Sequence, residues 1–385
     1  MNGVLIFLII FAAAGIIAKL GHATLFSRFL IAPSFVTMGM LLSQSGLGIL
    51  RPSTLLDLDL FTQVAISWLA FLLGLRGRVY AHRAYTDLGR KLFHLGINLL
   101  FTYLLVLLAF WGGGQSPIFK LGTGIYLTAS LFSASLLMGR KPIFSSGIRI
   151  NSFYAAIVAM IFMAPFLFFI YQEQFANLYQ ALMPFWSGVL CACFCLLTLW
   201  LILKVRDLSQ EVLILCLIAL CATMAGIAKW FFIPHVVPGF LFGLLSSHFM
   251  GLAKPQKTLF LSEQPVKIML MILIGAHLTI SFKTIAAGIG FGLIIYFVRF
   301  FGRFFMKRLF DRSGVVFAFM GASEVPVLFA ASIFFVLPEP HLVLNDLLLF
   351  IFVVASVGDV LGIARWSMVL RRRRQKVHAH RGLEP

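Results

Sequence analysis

What constrains this chain most is its succession of long apolar runs, broken by short polar or basic connectors. About thirteen runs approach the length that crosses a bilayer. They lie near 3–20, 29–44, 60–76, 92–111, 120–138, 152–171, 183–203, 211–228, 231–249, 265–280, 286–305, 315–336 and 342–363. In lipid every backbone polar group must be satisfied within the protein, which leaves helices or closed barrels. Continuous apolar runs of this length specify helices, so the expected fold is an all-α polytopic membrane protein. Residues 1–370 form the transmembrane domain and 371–385 a basic cytoplasmic tail. Several runs are short, which fits interrupted or re-entrant helices.

Composition agrees. Of 385 residues, 61% are hydrophobic and 11% charged, a balance foreign to soluble domains. The net charge of +18 could indicate a nucleic-acid partner, but the placement of the basic residues excludes that reading. Connectors after odd-numbered runs carry Lys19 and Arg28, then Arg76, Arg78, Arg83, Arg90 and Lys91, then Arg140, Lys141 and Arg149. Further along come Lys204 and Arg206, Lys254 and Lys257, Lys307, Arg308 and Arg312, and the tail from Arg371 to Arg374. The opposite connectors hold only Arg51, Lys120, Lys229 and Lys283. This alternation places the N-terminus outside and the C-terminus in the cytoplasm of a bacterial-type inner membrane, with the lipid bilayer as partner. The first run lacks the basic flank and cleavage site of a signal peptide, so its retention is expected.

One charged group falls deep inside a run. Glu324 stands in Gly321-Ala322-Ser323-Glu324-Val325-Pro326, in the middle of 315–336. A carboxylate at that depth costs several kcal/mol unless it faces a packed interior or a water-filled cavity. Gly321 and Pro326 on either side favour a broken helix of the kind that lines transporter sites. The plainer alternative is a protonated or shielded Glu on a kinked span.

The chain also echoes itself. Pro33-Ser34-Phe35-Val36-Thr37-Met38-Gly39-Met40-Leu41-Leu42-Ser43 recurs loosely as Pro238-Gly239-Phe240-Leu241-Phe242-Gly243-Leu244-Leu245-Ser246. Each copy is followed by an apolar-Gly step, Leu73-Gly74-Leu75 and Ile274-Gly275-Ala276, then by a run of small and polar residues. Those runs are Thr128 to Ser135 and Gly321 to Pro326. The matched elements lie an odd number of runs apart, so the copies should have opposite orientation in the membrane. Chance likeness between glycine-bearing apolar runs is the competing explanation.

Other candidates are fewer. Thr128, Ser130, Ser133 and Ser135 give the fifth run four hydroxyls that could ligate a dehydrated cation or simply line a close helix contact. Arg299 lies one turn deeper than Arg303 in the eleventh run and needs an anionic or carbonyl partner unless it snorkels. Glu324 is the obvious one. His235, His277 and Asp359 read more simply as structural or interfacial groups. Cys191, Cys193, Cys195, Cys216 and Cys221 lie in apolar runs, and the spacing of the first three argues for free buried thiols rather than a metal site. No phosphate loop, metal-ligand cluster or nucleophile–base set is present. The chain is therefore not read as an enzyme, and no cofactor is expected.

These features resemble the monovalent cation/proton antiporter superfamily, closest to its Kef-type and sodium/hydrogen exchanger branch. Pro33 to Gly48 resembles the family's second-span glycine motif, and Phe71-Leu72-Leu73-Gly74-Leu75 the end of its third span. Pro238 to Ser246 resembles the "GAFLAG" run and Met271 to Leu278 the "FF-x-x-x-G" run. Gly321 to Ala331 resembles the "GGEF" run, which puts Glu324 on the family's glutamate; Arg299 falls where the family has a basic residue. The resemblance implies inverted repeats, crossing interrupted helices in spans five and twelve, a scaffold from spans one to three and eight to ten, and a possible homodimer. It also implies an acid in the sixth span, yet Ser152 to Ile161 has none. The expected function is sodium/proton exchanger-like transport of a small ion or solute by alternating access. The alternatives are a non-transporting scaffold or sensor subunit, and a carrier of an anionic metabolite or lipid head group.

Overall fold

The computed structural model describes residues 31–44, 46–75, 178–204, 209–249, 256–309, 331–335, 345–354, 356–358 and 360–361, together with residues 9, 12 and 328. Among these the chain is all-helical; the one β-type pairing is an isolated bridge between Ser43 and Leu50. In order come α1 (Ile31–Leu42), α2 (Pro52–Leu75), α3 (Leu178–Lys204), α4 (Gln210–Trp230), α5 (Val236–Ser246), α6 (Gln256–His277) and α7 (Phe282–Leu309). A further helix, α8, runs over Asn345–Gly358. Four helical stretches are long and apolar enough to cross a membrane: Pro52–Leu75, Trp186–Lys204, Gln210–Trp230 and Thr258–His277. The run 286–305 lies on α7, of which only Phe282–Ile294 counts as an apolar stretch, and the remaining expected spans fall wholly or partly outside the described residues or on the shorter helices.

Two boundaries differ from the apolar runs in the same way. α2 starts at Pro52 rather than near 60, and α6 at Gln256 rather than near 265. Both take polar residues into their opening turns, Asp57 and Asp59 in one, Ser262 and Glu263 in the other. Hydropathy marks where a helix is oily, whereas hydrogen bonding continues until a cap stops it. Pro52 lacks an N–H and suits the first helical position, while the Leu55 N–H already donates to the Arg51 carbonyl. At α4 the Ser209 hydroxyl accepts from the Val212 N–H at 3.3 Å, an N-cap. α4 ends through Phe232, which adopts φ 53°, a left-handed geometry that closes helices but is strained for a side chain of this size.

α2 is the central element. Every residue from Ala65 to Leu75 on it is buried, so this half of the helix is enclosed by protein on all sides. One flank joins α1, α5, α6, α7 and α8 in a core that includes Ile66, Leu73, Phe240, Leu270, Ile272, Phe291 and Phe350. The other flank, with Trp68, Phe71, Leu72 and Leu75, packs on α3 and α4. There Phe71 stacks on Phe242 with ring centroids 5.1 Å apart. α3 and α4 bury one face each and leave Leu190, Phe194, Leu201, Leu215 and Ile218 exposed, suited to lipid. The cysteines follow that division: Cys191, Cys195 and Cys221 are buried, Cys216 half-buried, and all five are free. Cys193 corrects the sequence reading, because it points outward and is exposed. Its offset from Cys191 and Cys195 carries it to the other side of α3.

Candidate functional site

Two glycine crossings fix the geometry around α2. α1 meets α6 at Gly39 and Gly275. A Cβ on Gly39 would overlap the Ile272 carbonyl and lie 2.9 Å from both the Ala276 nitrogen and the Gly275 Cα. A Cβ on Gly275 would overlap the Val36 carbonyl. α5 meets α2 at Gly243 and Gly74, where a Cβ on Gly243 would overlap the Phe71 carbonyl and lie 2.9 Å from the Leu75 nitrogen. One on Gly74 would overlap the Phe240 carbonyl. The registers correspond. Gly39 touches the residues three before and one after Gly275, as Gly243 does for Gly74. The helix ends match too: the Ser43 hydroxyl donates to the Met40 carbonyl and the Ser247 hydroxyl to the Leu244 carbonyl, both at 2.6 Å. Only glycine lets backbones approach this closely, so the glycine steps of the internal echo become helix-to-helix contacts.

Between these crossings lie polar side chains in an otherwise apolar interior. On α2, Asp59, Gln63 and Ser67 follow one another at four-residue intervals and form one strip. Gln63 and Ser67 are fully buried, and neither side chain has a hydrogen-bond partner. Thr62 beside them is satisfied, its hydroxyl donating to the Leu58 carbonyl at 3.0 Å. Asp59 Oδ1 faces His277 Nε2 of α6 at 3.6 Å, a charge-pairing distance too long for a hydrogen bond. His277 packs its ring edgewise on Phe335, with centroids 4.9 Å apart. His235, fully buried at the entrance to α5, has no hydrogen bond of ordinary geometry on either ring nitrogen, with the Ala225 backbone beside it. The first N–H of α5, on Val236, is instead capped by the Ser332 hydroxyl at 3.0 Å.

α6 contributes a second polar feature. Glu263 and Lys267 form a buried ion pair at 2.7 Å, one turn apart, with Pro265 between them. Pro265 has no N–H to give the Leu261 carbonyl, so the helix lacks one rung on the side opposite the pair. Ser262, next to Glu263, accepts a 3.0 Å hydrogen bond from the indole N–H of Trp68, tying α6 to α2. At the other end of α6, the Asn345 side chain accepts from the Thr279 N–H at 3.1 Å and donates to the Thr279 carbonyl and hydroxyl. Thr284 donates to Asp346 at 3.0 Å, so the turn between α6 and α7 is held on the start of α8.

Most of the residues favoured from the sequence are not among those described. Glu324, Gly321, Pro326, Thr128, Ser130, Ser133 and Asp359 lie outside the described residues, as does the run from Ser152 to Ile161. The backbone at Arg299 belongs to α7. It shares a helical register with Gly288 and Gly292, which receive Val353 and Val357 of α8. The segment after Pro326 returns to the site, because Ser332 caps α5 and Phe334 and Phe335 pack against His277. Sequence reasoning allows His277 and His235 to titrate near neutral pH but reads each more simply as structural, and it gives Asp59, Gln63, Ser67, Glu263 and Lys267 no role. The signal that could have found them is the four-residue polar spacing on α2. Among the described residues no group of His, Cys, Asp and Glu could hold a metal ion. No protein-family model matches the chain, and no curated protein matches it.

Proposed function

We propose that this chain is a secondary transporter of the cation/proton antiporter type, sodium/proton exchanger-like, working by alternating access. The equivalence of the two glycine crossings carries this reading. α1 with α6 and α5 with α2 make the same contacts in the same register, as expected of two copies of one unit exchanging partners. The alternation of basic connectors supports opposite orientation of the copies, hence an inverted repeat among about thirteen spans. In this reading Glu324 carries the proton, Arg299 is its charge partner, and Thr128, Ser130 and Ser133 supply polar ligands. Gly321 and Pro326 break the helix around the carboxylate.

The absence of an acid from 152–161 favours a second reading, a scaffold or sensor subunit that keeps the architecture without transport. Proton flux in everted membrane vesicles separates the two. With a panel of monovalent cations, the transporter gives cation-evoked flux that Glu324→Gln abolishes. No flux with any cation overturns the exchanger reading, and flux untouched by Glu324→Gln removes that residue from the mechanism. A thermal-shift response to organic anions without cation flux would redirect the assignment to an anion carrier.

A further inference from the structure

We propose that the Asp59–Gln63–Ser67 strip of α2 is a hydrated access path, admitting water and small monovalent cations from the membrane surface toward the α2–α5 crossing. The inference rests on where the orphaned polar atoms are. Among the described residues, buried side-chain atoms without a hydrogen bond comprise Asp59 Oδ1, both amide atoms of Gln63, Ser67 Oγ, both ring nitrogens of His235 and Nε2 of His277. The remaining one, Lys267 Nζ, is ion-paired with Glu263. All the others belong to five residues gathered along one side of α2.

Their proximity follows from the packing. A Cβ on Gly239 would lie 2.6 Å from the Ser67 carbonyl and 3.1 Å from the Ala70 Cβ, so α5 passes directly over Ser67. Gly243 meets Phe71 one turn further along both helices, so α5 and α2 run in the same direction. One turn back from Gly239 is His235, and one turn back from Ser67 is Gln63; the two stand at the same level. Asp59 follows one turn further back on α2 from Gln63, and the exposed Lys229 lies in the last turn of α4, a few residues before His235. His277 closes the group from α6.

So many uncompensated polar atoms in a dry interior would cancel the stability of an ordinary domain, so the strip needs a polar occupant. Water fits, since it donates to Asp59, Gln63 Oε1 and a ring nitrogen while accepting from Gln63 Nε2 and Ser67. The occupant extends to small cations because the entrance carries a carboxylate, partly exposed at 22%, and acceptors line the way inward. The cations nearby do not block it: Lys229 stays exposed at the rim, and Lys267 is held by Glu263. The proposal makes no use of Glu324 and does not depend on that residue carrying a proton.

Thiol accessibility tests it. In a full-length chain with its five cysteines replaced by alanine, Gln63→Cys and Ser67→Cys are compared with two reference positions. Asp57→Cys is exposed, and Ala65→Cys is buried on the opposite side of α2. Oriented vesicles receive the cationic 2-(trimethylammonium)ethyl methanethiosulfonate or its anionic sulfonatoethyl analogue. A hydrated path gives modification of Gln63→Cys and Ser67→Cys but not Ala65→Cys, with the cationic reagent faster by about tenfold beyond its advantage at Asp57→Cys. Asp59→Asn in the Gln63→Cys chain should shrink that preference. Reaction at Asp57→Cys alone means the strip is dry and overturns the proposal; equal rates for both reagents overturn its cation selectivity. Should Gln63→Cys fail to fold, the near-isosteric Ser67→Cys decides the outcome. Labelling without flux would uphold the path while removing the transporter reading.

Discussion

Gly39 and Gly275 meet backbone to backbone, with no room for a single methyl group between α1 and α6. Gly243 and Gly74 make the equivalent contact between α5 and α2. Each crossing is closer than side chains allow, so the apolar surface around it is sealed only while these positions stay bare.

Gly39→Ala and Gly243→Ala should therefore destabilise to a similar extent, by about 2 kcal/mol or more, since backbone rather than a flexible side chain has to yield. Gly226 in α4 is a built-in control, because a methyl group there would have no neighbouring atom within 4 Å. Gly226→Ala should raise stability by roughly 0.5–1 kcal/mol through helix propensity. Thermal unfolding in detergent micelles checks the set. A neutral Gly39→Ala would contradict the crossing.

The Glu263–Lys267 pair predicts a strongly non-additive cycle. Lys267→Met removes the cation 2.7 Å from a buried carboxylate and should cost about 3–5 kcal/mol. Combining it with Glu263→Gln should recover much of that loss, because the double variant no longer buries a lone charge. Denaturant titration of the four chains gives the coupling energy, and simple additivity would show that the two groups do not act as a pair.

Asn345 clasps both backbone groups of Thr279 and its hydroxyl. Asn345→Ala should cost about 2 kcal/mol, the net worth of such a set once its partners are left behind. Hydrogen exchange at the Thr279 amide should accelerate along with it. Asn345→Asp keeps the acceptor for that amide but loses both donors, so it should fall between the two. Unchanged exchange at Thr279 in the alanine variant would remove this contact from the fold.

How far the residues announce all this depends on the kind of contact. Gly39, Gly74, Gly243 and Gly275 were legible as paired motifs, because close helix approach demands glycine at set positions and leaves a pattern in sequence. Which glycine meets which was not, since the pairing is between α1 and α6 and between α5 and α2 rather than within each copy. The polar strip was legible only as spacing. Asp59 reads as a residue beyond the oily run, and its partner His277 lies at the far end of a helix distant in sequence. Glu263 was hidden for the same reason, as a charge in a segment that hydropathy assigns to a connector, and Lys267 as a charge at the very start of the 265–280 run. The segment at Glu324 gave the strongest local signal of all, the cost of an acid in lipid, and that signal concerns residues outside those described.

Pro265 governs how α6 can bend. It removes one rung from the Leu261–Pro265 side of the helix, while the 2.7 Å bond from Glu263 to Lys267 fastens the opposite side of the same stretch like a buckle. Flexing α6 so as to open that side must part the two charges. The bending stiffness of the helix that carries Gly275 and His277 is thereby tied to one electrostatic contact, and neutralising either charge loosens the whole rod at a single joint.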